Sequence, residues 1–236
     1  MKIKLRIPTH LSEITLGQYQ KFTSVEGDME FKAHKMLEIF CGVELRHVLY
    51  LTLGQIDDAL TMLNKAFVEP PKFTLRTQLD GVKLGFVPNL LDLTFGEYTD
   101  IEDNISDWST MHKAMAVMYR EVDNEFKGLY NIVEYEGTKR TAEAMKGLPM
   151  DVVFGAVDFM CRLGMDLSRA TLLSMAKEEK MNAPYSAQNS SSLNDGDGTH
   201  SITPLQKAIL LSLSQFQNSI TALPTLTLPT TLRSTT

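Results

Sequence analysis

The sequence predicts an α+β protein that is predominantly α-helical. It has a helical body with an N-terminal strand and a β-hairpin, followed by a linker and a tethered C-terminal helix. Three observations carry this. Thr15, Thr52 and Thr94 each open the pattern Thr, apolar, Gly, Gln/Glu, which is the signature of a capping box. Trp108, Met111, Met115, Met118 and Val122 recur at steps of three and four, which is one face of a helix. Asp80-Gly81 stands between two alternating runs, which signals a tight hairpin.

Ile3, Leu5 and Ile7 alternate with Lys2, Lys4 and Arg6, so a short half-buried strand is expected, stopped by Pro8. The first capping box starts a helix at Thr15-Leu-Gly-Gln. Phe31 to Cys41 gives a second, with Met36, Leu37, Ile39 and Phe40 buried and Gly42 as its stop. The box at Thr52 opens a helix through Ile56, Leu60, Leu63 and Phe67, ended by Pro70 and Pro71. Phe73 to Leu79 and Val82 to Val87 are the strands of the hairpin, closed by Pro88. The third box, Thr94-Phe-Gly-Glu, starts the segment with Tyr98 and Ile101. Each box contributes about 0.5 to 2 kcal/mol to its helix. The glycine inside each first turn costs helix propensity and would let another backbone approach. The boxes lie about 40 residues apart, but the stretches between them do not match, so the pattern is three helices begun by the same chemistry rather than a solenoid.

The helix carrying Trp108 to Val122 is the expected centre of the core, broken at Asn124 and Gly128. Leu129 to Tyr135 then reads as a strand. Thr141 to Lys146 is a short helix. A longer one starts at Leu148-Pro149-Met150-Asp151, with Val152, Val153, Ala156, Phe159, Met160 and Leu163 as its buried stripe, continuing past Gly164 to Met175. The composition then turns to Ser, Asn, Asp and Gly. The expected domains are an α-rich globular body at 1-182, a flexible Ser/Asn/Gly-rich linker at 183-203, and an amphipathic helix with an extended tail at 204-236. Leu205, Ile209, Leu213, Phe216 and Ile220 lie on one face of that last helix. An isolated helix of this length is marginal in water, so it must dock, in cis or in trans.

The 236 residues are 43 % hydrophobic and 22 % charged, which suits a soluble body. A formal charge of −6 argues against a phosphate backbone as main partner. Cys41 and Cys161 sit in apolar helical patterns and read as reduced core thiols. No apolar run reaches the ~18 to 20 residues of a membrane span, and the start lacks the apolar stretch of a secretory signal.

Chemistry is sparse. His34, Cys41 and His47 fit no zinc spacing, and Asn194 to Gly198 lacks the final Glu of a calcium loop, so no metal and no cofactor are expected. Glu97, Asp100, Glu102, Asp103 and Asp107 form an acidic cluster. Carboxylates there complement a helix start. An enzyme of unknown class using the cluster Glu97-Asp107 is the alternative reading. The 13 methionines include Met111, Met115 and Met118 on one helix face. They suit either a core or an adaptable protein-binding groove that the tethered helix could enter. The candidate partner-binding residues are therefore Leu205, Ile209, Leu213, Phe216, Ile220, Met111, Met115 and Met118.

The stretches LTFGEYTDIEDNISDWSTMHKAMAVMYREV, YNIVEYEGT and ITLGQYQKF resemble small proteins from the virion-morphogenesis gene clusters of tailed bacteriophages. The chain has Glu121-Val122 where those sequences often read Pro-Ile. The resemblance implies a non-enzymatic assembly protein acting by protein–protein binding, either a structural component of the tail or neck or a tail assembly chaperone. It implies no catalytic residues. The expected partners are other phage structural proteins or a second copy of the chain, with no nucleic acid, membrane or small-molecule substrate. The expected location is the host cytoplasm during assembly, or the virion.

Overall fold

All three capping boxes form, and they start helices where the sequence places them. In the computed structural model, which describes residues 5–182, Thr15 and Gln18 open α1 (Leu16–Thr23), Thr52 and Gln55 open α4 (Leu53–Val68), and Thr94 and Glu97 open α5 (Phe95–Ile105). Between the first two lie α2 (Met29–Cys41) and the one-turn α3 (Leu45–Val48). Asp28 caps α2 at its start. Gly42 ends it in the left-handed conformation (φ 65°), which glycine adopts without steric cost.

The sheet follows. Strands β1 (Arg76–Leu79) and β2 (Val82–Phe86) are joined by Asp80-Gly81, both with positive φ (49° and 85°), the type I′ hairpin that Asp-Gly favours. After α5 comes α6 (Met111–Met118), then β3 (Tyr119–Phe126) and β4 (Leu129–Ile132). The four strands are antiparallel in the order β1-β2-β3-β4. The short α7 (Ala142–Met145) and the 33-residue α8 (Met150–Asn182) complete the described chain. The fold is thus α+β and dominated by helices.

The core is organised around α6. Every residue of α6 except Lys113 is buried, so the helix is enclosed rather than amphipathic. Met118 passes straight into Tyr119, which takes extended backbone angles and pairs with Phe86. The expected helix through Val122 is therefore corrected: it stops four residues early. Tertiary contacts override the helical period. The Tyr119 hydroxyl donates to the Thr74 carbonyl at 2.6 Å, its ring meets Phe86 edge-on, and Val87 N–H donates to the Met118 carbonyl. Asn124 and Gly128 do not break a helix. Asp123 is bulged out of register, and Lys127-Gly128, both at positive φ, form a second type I′ turn.

Two glycines allow a close approach where no side chain fits. A Cβ at Gly85 would overlap the Tyr130 ring, so β4 curls over β2 and the Tyr130 hydroxyl donates to the Phe86 carbonyl at 2.6 Å. A Cβ at Gly155 would overlap the Lys72 carbonyl. There the segment after α4 crosses α8 and Phe73 stacks on Phe159, with ring centres 4.2 Å apart. Of the glycines inside the capping boxes, Gly17 meets a backbone, with its N–H 2.7 Å from the Lys146 carbonyl, whereas Gly54 has open space. Leu16 N–H to the Leu148 carbonyl and Met150 N–H to the Ile14 carbonyl, both 2.8 Å, complete a backbone clasp between the start of α1 and the start of α8.

Other expectations need correction. Leu5 and Ile7 pack against the core without joining a strand, and residues 1–4 lie outside the described residues. The expected Phe73 and Leu129 strands are shorter than the sequence pattern. On α8 the buried face is Val152, Val153, Ala156, Val157, Met160 and Cys161, while Leu163 is exposed. Trp108 precedes α6 and is half-buried, edge-on to Tyr19 and Phe154. The linker expected at 183-203 and the helix and tail expected at 204-236 lie outside the described residues. Cys41 and Cys161 are free and buried, and burial pushes both thiols up to about 11. Among the described residues no helix is long and apolar enough to cross a membrane.

Gly54→Ala should stabilise the protein by about 0.5–1 kcal/mol, since α4 gains propensity and nothing obstructs the methyl. Gly155→Ala should destabilise it by about 1–3 kcal/mol through the clash with Lys72. Urea denaturation midpoints of the two variants check this.

Candidate protein-binding surface

Met111, Met115 and Met118 are 0 % exposed, and this corrects their place among the partner-binding residues. They fill the space between α6 and its neighbours, which leaves no thioether face for a second chain. Leu205, Ile209, Leu213, Phe216 and Ile220 lie outside the described residues. The apolar groups that do reach the described surface are others. Leu49, Tyr50 and Leu53 sit together at the corner between α3 and α4, 70 %, 76 % and 67 % exposed. Leu91 and Phe95 flank the start of α5, and Phe126 pairs with Leu129 at the tip of the β3–β4 hairpin, all strongly exposed. The sequence holds little warning of them, because periodicity marks buried faces and is silent about isolated apolar residues in corners and turns.

The acidic cluster is largely spoken for. Glu97 closes the capping box of α5, with its Oε2 accepting from Thr94 N–H at 2.7 Å. Its other oxygen, Oε1, accepts from Arg120 Nη2 at 2.5 Å. The two side chains are only 6 % and 11 % exposed, so this is a buried ion pair between α5 and β3. Arg120 Nη1 donates to the Val133 carbonyl at 3.2 Å, and its guanidinium lies over the Tyr135 ring. Asp100 accepts the Tyr135 hydroxyl proton, and burial followed by that contact pushes the Tyr135 phenol up. Asp107 accepts from the Ser109 N–H at 2.8 Å, ordering the turn into α6. None of the five cluster carboxylates lines the cavity described next.

That cavity, of about 520 Å³, lies between the β1–β2 hairpin, β3, the segment after β4 and α7. Leu84, Ala116, Tyr119 and Met145 form its buried apolar wall, and Val82 and Val133 stand half-exposed at its mouth. Asp80, Glu121, Glu134 and Glu136 supply its carboxylates, and Arg120 and Arg140 its cations. Arg140 pairs with Glu136 at 3.1 Å, and Arg120 belongs to Glu97. Asp80, Glu121 and Glu134 make no ion pair among the described residues.

His112 is the one buried histidine among the described residues. Gln20 Nε2 lies 2.6 Å from the Trp108 carbonyl and 3.2 Å from that of Ser109, so the amide nitrogen faces this way. His112 Nδ1 lies 3.0 Å from the same nitrogen. Its Nε2 faces Glu143 at 3.7 Å. Burial, then Lys146, hold its pKa below the ordinary histidine value. His34 and His47 lie on α2 and α3, and Cys41 is buried. Among the described residues no three His, Cys, Asp or Glu side chains gather as a metal set.

No family model, curated protein or solved structure matches this chain.

Two outcomes follow from these networks. Glu97→Gln keeps the cap but strands the Arg120 guanidinium, so it should cost about 3–5 kcal/mol, whereas Gln55→Glu, on an exposed box, should stay within about 0.5 kcal/mol. Denaturant titration of both variants checks this. His112 favours folding while neutral. Its contribution is complete above the unfolded value of about 6.5 and is lost as pH falls from there toward the lower folded value. Thermal denaturation from pH 7.5 to 5 should show a shallower decline in His112→Gln than in the native sequence.

Proposed function

We propose that the protein is a non-enzymatic bacteriophage assembly protein that works by binding other proteins, as a structural component of the tail or neck or as a tail assembly chaperone. The observation that carries this reading is the exposed apolar corner Leu49, Tyr50 and Leu53. Three large side chains within five residues, each about two-thirds or more in water, are a cost in an isolated chain and an asset at an interface. The Phe126–Leu129 hairpin tip and the pair Leu91 and Phe95 add two further contact points of the same kind. The sequence resemblance to virion-morphogenesis proteins supplies the setting, with the host cytoplasm as the place of action during assembly. The roles already filled by Glu97, Asp100 and Asp107 in caps, a buried ion pair and a turn favour binding over an acid–base site built from that cluster.

Co-expression with each particle protein of the phage that encodes the chain tests the proposal. A stable complex should form with at least one of them and be lost in the triple variant Leu49→Asp, Tyr50→Asp, Leu53→Asp, whose melting temperature should stay near that of the native sequence. Mass spectrometry of purified virions then separates the two roles: many copies identify a structural subunit, and none identifies a chaperone. No complex with any particle protein, together with normal particles from a phage lacking the gene, would overturn the proposal.

A further inference from the structure

The cavity between the β1–β2 hairpin and α7 has two unmet needs. Its wall is apolar, with Leu84, Ala116, Tyr119 and Met145 at depth and Val82 and Val133 at the mouth. Its carboxylates outnumber its free cations. Arg140 is taken by Glu136 and Arg120 by Glu97, so Asp80, Glu121 and Glu134 present net negative charge without a counter-ion among the described residues. An occupant that meets both needs brings an apolar side chain and a flanking cation.

We infer that this cavity is the docking site for an extended segment of a partner protein in which apolar residues alternate with lysine or arginine. An extended peptide carries side chains alternately to opposite sides, so one short stretch supplies the apolar anchor and the flanking cations together. The volume, about 520 Å³, falls within the range of ligand-binding clefts. Charge complementarity decides the sign of the partner: an acidic segment would face Asp80, Glu121 and Glu134, and like charges brought together suppress wrong partners. This inference rests on the protein-binding reading above and gives that reading a partner chemistry.

The test uses the full chain and two fluorescein-labelled peptides, Lys-Leu-Lys-Leu-Lys and Glu-Leu-Glu-Leu-Glu, followed by fluorescence anisotropy at about 0.15 M salt, where diffuse surface charge is screened beyond about 8 Å. The basic peptide should bind saturably and the acidic one should not. Glu121→Lys combined with Glu134→Lys should weaken binding by about tenfold or more. Asp57→Lys combined with Asp58→Lys changes the net charge equally, but on α4 and away from the cavity, and should leave binding unchanged. Ala144→Trp narrows the cavity without altering charge and should also weaken binding. Circular dichroism confirms that each variant is folded. Equal loss in the two charge reversals, binding unaffected by Ala144→Trp, or no saturable binding of the basic peptide would overturn the inference. A complex with a particle protein that persists alongside any of these results leaves the assembly role standing and removes only this site.

Discussion

The buried pair between Glu97 and Arg120 ties the helical part of the molecule to its sheet. Glu97 holds the first turn of α5 by its backbone and holds β3 by its charge. Arg120 in turn reaches the Val133 carbonyl and lies over Tyr135, so the segment beyond β4 is positioned by the same guanidinium. Removing either charge leaves the other desolvated, and this asymmetry makes such a pair strict even where its net contribution to stability is small. The cavity inherits its shape from this arrangement, because Arg120, Val133 and Tyr135 all line it.

The three capping boxes show how one local motif is adapted to different surroundings. In each, the residue at the third helical position reaches back to the threonine. What differs is its second task. Gln18 uses its amide N–H₂ to donate to the Ile39 carbonyl in the last turn of α2, at 2.9 Å. A carboxylate could not donate there. Glu97 faces a guanidinium and needs a charge that glutamine lacks. Gln55 is exposed, so either residue would serve. The choice between Gln and Glu in these boxes follows the far side of the side chain, while the helix start itself is indifferent to it.

Much of the fold is legible in the sequence because it is encoded locally. The caps, the Gly42 stop and the Asp80-Gly81 turn are short-range chemistry, and all of them form as read. The junction at Met118-Tyr119 was illegible because Val122 happens to fall in helical register with Met115 and Met118, while the contacts that impose extended backbone come from Thr74, Phe86 and Val87, far away in the chain. Lys127-Gly128 lacks the Asp or Asn that usually announces such a turn. The methionines of α6 had the right face and the wrong destination: a stripe on a helix identifies what is buried, and here the burial is by the protein itself. The cavity could not be foreseen, since its lining comes from stretches well separated in the chain.

The length of α8 has a mechanical consequence. The helix runs on from Cys161 to Asn182, and Arg162, Leu163, Met165, Asp166, Arg169 and Ala170 are all exposed. At about 1.5 Å per residue the twenty or so residues after Cys161 span about 30 Å. A rod of that reach acts as a spacer, fixing the radius at which anything joined to its far end can meet a neighbour.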